Sequence, residues 1–289
     1  MTSIAVTYRT TLDGELRAFM IAQLIKYLLF MRGQIPCLYD ELVKVVQRNQ
    51  EEVGQKLRRQ RLPSSGSLKK AIKCVEASEL LLSEQINAVF SLQVQKMVLV
   101  FGPSLISPRE VVILEFKEPN TMVEEDKATS CSMIHSPVSS CEALNLSPTR
   151  SRAKLMQMCT KKLMRAVFTQ AMEQFTSPLS ATKLHIAVLA ERQAARIPGF
   201  LPKQNFKLRL PKKKRAYNIV ITDRVDRTKM DDQFGVNQDQ SNRTSNGQSQ
   251  SPFIAPPHNL EFMWYVLEKP VPGFSDVITT DSKRQRNLR

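Results

Sequence analysis

The chain has 289 residues with 42 Lys and Arg against 27 Asp and Glu, a net charge of +15 that makes polyanions or acidic protein surfaces natural partners. With 42% apolar residues but only 9 Gly and 16 Pro it can build one sizeable core, which excludes a wholly disordered or collagen-like chain, while the length allows one or two domains. No apolar run reaches the roughly 18 residues of a membrane span, and Met1 to Arg9 lacks the basic-then-apolar order of a signal peptide, so a soluble intracellular protein is expected.

From Leu16 to Arg32 the apolar residues Leu16, Phe19, Met20, Leu24, Leu28 and Met31 recur every three or four positions, and Gly33 and Pro36 then stop the pattern, which predicts a helix. Tyr39 to Gln60 reads as a second helix with Leu42, Val45 and Val46 at its start, ended by the turn Pro63 to Ser67. Leu68 to Phe90 predicts a third. Met97 to Phe101 and Val111 to Phe116 are strand-like runs joined by a turn at Gly102-Pro103. A polar insert follows, about 117–152, with the acidic cluster Glu124-Glu125-Asp126 and many Ser and Pro, and it reads as a mobile loop. Helix resumes from Ala153 to Phe175. Strands are then expected at Lys183 to Leu189, Phe206 to Leu210, Tyr217 to Thr222 and Leu260 to Leu267. A second mobile insert is placed at about 231–258, and a flexible basic tail at 276–289. Helices followed by a late set of strands predict an α+β fold with the helices on one face of the sheet, and no internal repeat is present.

The five cysteines form no Cys-x-x-Cys pair and the three histidines are far apart, so neither a disulfide framework nor a zinc site is expected. Cys37 and Cys74 read as small buried hydrophobes. The sequence has no GxxxxGK(S/T), GxGxxG, GxSxG or HExxH motif, and Glu110 and Glu115 read as solvated charges beside strands. No catalytic constellation emerges, and no cofactor is implied.

Lys212-Lys213-Lys214-Arg215 joins two strand candidates, and such a compact cationic run suits an import-receptor groove, a phosphate backbone or a solvated hairpin loop. A second basic concentration lies between Lys56 and Lys73. No aromatic residue is interleaved there, which weakens direct nucleic-acid recognition by stacking but leaves salt-sensitive attraction. In the helix Ala153 to Phe175, Leu155, Met156, Cys159, Leu163, Ala166 and Val167 form one apolar stripe. Met164, Phe168, Met172 and Phe175 form a second beside Lys161 and Arg165. The helix is therefore either sandwiched in the core or exposes one face to a partner. Ser147-Pro148-Thr149-Arg150 has the Ser-Pro-x-basic order favoured by cyclin-dependent kinases, making Ser147 a candidate phosphorylation site.

In order along the chain, Leu24 to Pro36 with Tyr39 to Leu42, Lys96 to Gly102, Ile106 to Glu110, Lys161 to Phe168, Pro202 to Phe206, Met263 to Tyr265 and Gly273-Phe274 resemble the comet family of HORMA-like proteins, which bind the closed form of the spindle-checkpoint protein Mad-two. The resemblance covers most of residues 12 to 275 outside the two inserts. It implies a single HORMA-like domain across 1–289, with three main helices on a mostly antiparallel sheet and a C-terminal safety-belt segment that occupies the place of a ligand peptide. It also implies a non-enzymatic adaptor that presents closed Mad-two, or a meiotic-axis HORMA protein, to an AAA+ remodelling ATPase. The protein would lie in the nucleus, and also in the cytoplasm and on the spindle during division. Binding would use Met31 and Arg32 of the first helix with Lys161, Met164, Arg165 and Phe168 of the later one. Met31 and Met164 stand where animal members carry Gln and Phe, and Met refills irregular contacts. From a different class, the basic runs would suit a nuclear nucleic-acid binder.

Overall fold

The structure is a computed structural model and describes residues 2–57, 66–117, 148–171, 179–211, 215–223 and 261–275. It opens with a strand that the sequence reading passed over: β1 (Thr2–Thr7) buries Ile4 and Val6 on one face and leaves Ser3, Ala5 and Thr7 exposed. Helix α1 (Gly14–Met31) starts where the Asp13 carboxylate accepts the Leu16 N–H at 2.9 Å. It buries Leu16, Met20, Leu24 and Leu28 together with Ile21, Ile25 and Leu29. An apolar surface that wide belongs to a helix packed on several sides, and α1 is the central helix.

Helix α2 (Tyr39–Leu57) follows, and then α3 (Gly66–Leu80), a π-helical turn (Leu81–Gln85) and α4 (Ile86–Phe90) run on as one rod. The single helix expected from Leu68 to Phe90 is thus interrupted by one wide turn. That turn directs Gln85 inward against Gly199, whose φ of +73° and contact with Gln85 leave no space for a Cβ. Helix α5 (Pro148–Ala171) begins earlier than expected: residues 148–152 are helical, so the stretch 117–152 is not uniformly a loop. The expected extensions of α2 to Gln60 and of α5 to Phe175 fall outside the described residues, as do the second insert and the basic tail.

The remaining strands are β2 (Val94–Gly102), β3 (Glu110–Lys117), β4 (Lys183–Glu191), β5 (Phe200–Lys203), β6 (Ala216–Thr222), β7 (Phe262–Leu267) and β8 (Val271–Pro272). They form one sheet in the order β1-β6-β3-β2-β4-β7-β5, and β8 pairs with the start of β4. Strand β6 is parallel to both neighbours and every other pairing is antiparallel, so the fold is α+β on a mostly antiparallel sheet. Met97, Leu99, Phe101, Val112, Leu114, Ile186 and Val188 point from the sheet into the helix-side core.

The opposite face carries Val98, Val100, Val111, Ile113 and Ala187. These are covered in part by Phe206 and Leu208, whose chain forms no ladder. The strand expected at Phe206 to Leu210 is therefore a correction. Its alternating pattern belongs to an extended segment laid on the sheet face, with Phe206 packed 4.8 Å from the Trp264 ring. At the C-terminal end the chain returns under α1: the Gly273 N–H donates to Thr182 O at 2.7 Å and the Phe274 N–H to Gln34 O at 2.8 Å. Val271 and Phe274 are buried.

Candidate functional site: the outer face of α5

Helix α5 is fastened to the domain at its first turns. The Arg152 guanidinium reaches both Asp13 oxygens, at 2.5 and 2.7 Å, and Glu15 at 3.2 Å, joining the start of α5 to the start of α1. Burial alone would raise the Asp13 carboxyl, but the Leu16 N–H and the Arg152 and Arg17 charges outweigh it and hold the group below its ordinary value. Further along, Tyr8 donates its hydroxyl to Cys159 O at 2.9 Å. Lys162 donates to Thr7 O and lies over the Tyr8 ring. Cys159, Leu163 and Val167 are buried and Leu155, Met156 and Ala166 half-buried, so the first stripe faces the core. Each fully buried side chain contributes roughly 1.5 to 3 kcal/mol.

The other side of the helix is open. Met158 and Phe168 are 60% and 43% exposed, and Lys161 and Arg165 are exposed between them. Positions 158, 161, 165 and 168 follow spacings of three, four and three, which line them up as one ridge. Met164, one turn before Phe168, is half-buried and packs against the helix-side core. Among the described residues neither Lys161 nor Arg165 meets a carboxylate in an ion pair, so the ridge combines two exposed apolar ends with uncompensated positive charge. Met172 and Phe175 lie outside the described residues.

Met31 closes α1 and is half-buried. The starts of α1 and α5 are tied through Arg152, and Met156, one turn further along α5, lines the same groove as Ala18, Phe19 and Ala22 of α1. The two helices therefore run side by side in one direction. At about 1.5 Å per residue, Met31 and Phe168 stand at comparable levels, roughly 24 to 27 Å from that shared anchor.

Arg32 is a correction to the expected contact set. Its side chain is 0% exposed, and its Nε and Nη2 donate to the two oxygens of Glu110 at 2.7 and 2.6 Å. Glu110, expected as a solvated charge, is itself 0% exposed. Burial pushes its carboxyl up, and the Arg32 bonds pull it back only in part. The pair sits above Gln34, which donates to Arg32 O at 2.7 Å and accepts the Thr182 N–H at 2.8 Å. Arg32 thus locks the α1 exit to β3 and has no surface to offer. Nothing local in the sequence marks the pair, because its members are 78 positions apart.

Lys212, Lys213, Lys214 and Ser147 lie outside the described residues. Arg215 is half-buried, and its carbonyl accepts the Val111 N–H at 3.0 Å, so its backbone is tied to the sheet. Cys37 is half-buried and Cys74 buried, with burial pushing the Cys74 thiol up to about 11. Sequence reasoning passed over Met158, although its place in the 158-161-165-168 ridge was the signal that marks it. Among the described residues no helix is long and apolar enough to cross a membrane. No protein family matches the sequence, and no curated protein matches it.

Proposed function

We propose that the chain is a non-enzymatic, HORMA-like adaptor of the comet type. It binds closed HORMA-domain proteins, Mad-two or a meiotic-axis relative, and presents them to an AAA+ remodelling ATPase, silencing the spindle checkpoint or remodelling the meiotic chromosome axis. The observation that carries this reading is the outer face of α5. A helix anchored by one apolar stripe exposes Met158 and Phe168 around Lys161 and Arg165, the pattern of apolar anchors with rim cations that suits a partner of acidic surface. The helix-on-one-face sheet and the C-terminal return at Phe274 are compatible with a safety-belt arrangement.

Calorimetric titration of the purified chain with closed Mad-two and with a meiotic-axis HORMA domain tests it, alongside co-purification with the remodelling ATPase. Saturable binding to at least one HORMA protein is expected, and heat of dilution alone with every one of them rejects the reading. If the same protein instead retards DNA or RNA in gels with a steep salt dependence, its net charge of +15 is the functional feature and a nucleic-acid role replaces the adaptor. We assign Lys212 to Arg215 as the nuclear import signal. A fluorescent fusion with all four changed to Ala is expected to leave the nucleus, and unchanged nuclear accumulation excludes the assignment.

A further inference from the structure

A second surface lies at the end of the sheet where the β2–β3 hairpin turns. A cleft of about 880 Å³ opens there between the hairpin and the chain ahead of β6. Among the described residues its exposed cations are Arg109 and Arg209, from separate stretches of chain, the half-buried Arg215 also lines it, and no carboxylate does. Arg109 is exposed yet held in place: its Nη1 donates to Ser180 Oγ at 2.5 Å and approaches Ser180 O at 3.5 Å. Beside the arginines stand two large apolar side chains that the fold leaves open, Ile106 at 65% and Leu210 at 55% exposure.

These features select among anions. Arg109 and Arg209 meet no described carboxylate in an ion pair, so together they create a concentrated positive field, and Arg forks bind phosphate oxygens bidentately. A phosphomonoester brings a charge near −2 and three acceptor oxygens, which matches two guanidiniums better than one carboxylate does. The cleft is far larger than a single phosphate ion needs, and Ile106 and Leu210 offer apolar contacts that a free ion cannot use. Among the described residues no Phe, Tyr or Trp lines it, so they supply no stacking platform of the kind on which single-stranded nucleic acid relies. We propose that this cleft docks a phosphorylated peptide segment of a partner protein, with the phosphate on Arg109 and Arg209 and an apolar neighbour of the phosphoresidue against Ile106 or Leu210.

The test uses the full chain and fluorescence anisotropy at about 0.15 M salt, where non-specific attraction between exposed charges is screened beyond about 8 Å. The probe is a fluorescein-labelled Gly-Leu-phosphoserine-Leu-Gly peptide, compared with its unphosphorylated twin, inorganic phosphate as competitor, and a twelve-residue oligothymidine. The phosphopeptide is expected to bind at least about tenfold tighter than the twin and than inorganic phosphate, and tighter than the oligonucleotide. Arg109→Ala and Arg209→Ala should each weaken it about tenfold or more, and Ile106→Ser severalfold, with circular dichroism unchanged because all three side chains are exposed. Equal binding of the twin, undiminished binding by both arginine variants, competition by inorganic phosphate at equal strength, or tighter binding of the oligonucleotide each overturns the proposal.

Discussion

Removing Arg32 should unfold more of the protein's stability than any surface change. Both members of the Arg32–Glu110 pair are fully buried and joined by two short bonds of 2.6 and 2.7 Å. Arg32→Met therefore removes both of these bonds from a fully buried carboxylate, and breaking such a pair from one side costs about 3 to 5 kcal/mol. Glu110→Leu removes the carboxylate that neutralises the buried guanidinium, with a similar penalty. The double variant Arg32→Met with Glu110→Leu removes both charges, so its stability should return to within about 2 kcal/mol of the starting protein, a coupling of several kcal/mol. Urea denaturation followed at the single Trp264 and by circular dichroism gives the cycle. With a slope near 3 kcal/mol per molar, a loss of about 4 kcal/mol moves the midpoint down by about 1.3 M. Simple addition of the two single losses in the double variant, or a loss under about 1 kcal/mol for Arg32→Met, refutes this account of the pair. A folded Arg32→Met protein that has lost partner affinity would also return Arg32 to the binding surface.

Met164→Glu combined with Phe168→Ala should weaken HORMA binding at least about a hundredfold, or roughly 2.7 kcal/mol. The buried stripe from Cys159 to Val167 keeps the helix folded, so calorimetric binding and circular dichroism on one preparation check both halves, and a misfolded variant assigns the outer stripe to the core instead. Truncation before Pro270 removes the buried Val271 and Phe274, each worth roughly 1.5 to 3 kcal/mol, and should lower the melting temperature and admit protease; an unchanged melting curve counts against the clasp at Gln34. Asp13 has a carboxyl held below the ordinary 3.8, so its stabilising contribution is present above that value and disappears as pH falls through the lower folded value. Asp13→Asn should flatten the acid side of the curve of melting temperature against pH, and a curve with the same acid slope would show that the Arg152 link carries none of it.

Much of the fold could be read along the chain because its elements have strong periods. The helical repeat through Leu16, Met20, Leu24 and Leu28 and the apolar runs of β2, β3 and β6 each fall close to where the sequence placed them. Strand β1 carries a genuine two-residue alternation, Ile4 and Val6 in and Ser3 and Ala5 out, but it is short and was weighed only as a targeting segment. Strand β5 has no such signal: its Phe-Leu-Pro-Lys run buries only Phe200. Phe206 and Leu208 show the converse limit, since alternation reports which side chains face a surface and says nothing about which backbone groups are paired. At the candidate site, the inner stripe of α5 was legible from spacing. The burial of Arg32 was not, because it depends on a carboxylate brought in by tertiary structure.

The pairing of β1 with β6 also bears on how the chain is made. Thr2 lies opposite Tyr217, so β1 emerges from the ribosome long before β6, its sheet neighbour among the described residues, exists. At about 5 to 20 residues per second, the delay is roughly 10 to 40 s. Throughout that time the strongly apolar α1 is also present, while β6 and β7 of its sheet are still unmade. Long-range parallel pairing is slow to form and leaves aggregation-prone edges open in the interval. The nascent chain consequently keeps apolar surface open until β6, β7 and the Phe274 clasp have been synthesised, and synonymous changes that alter translation speed between β1 and β6 are expected to act on yield without altering a single contact in the finished protein.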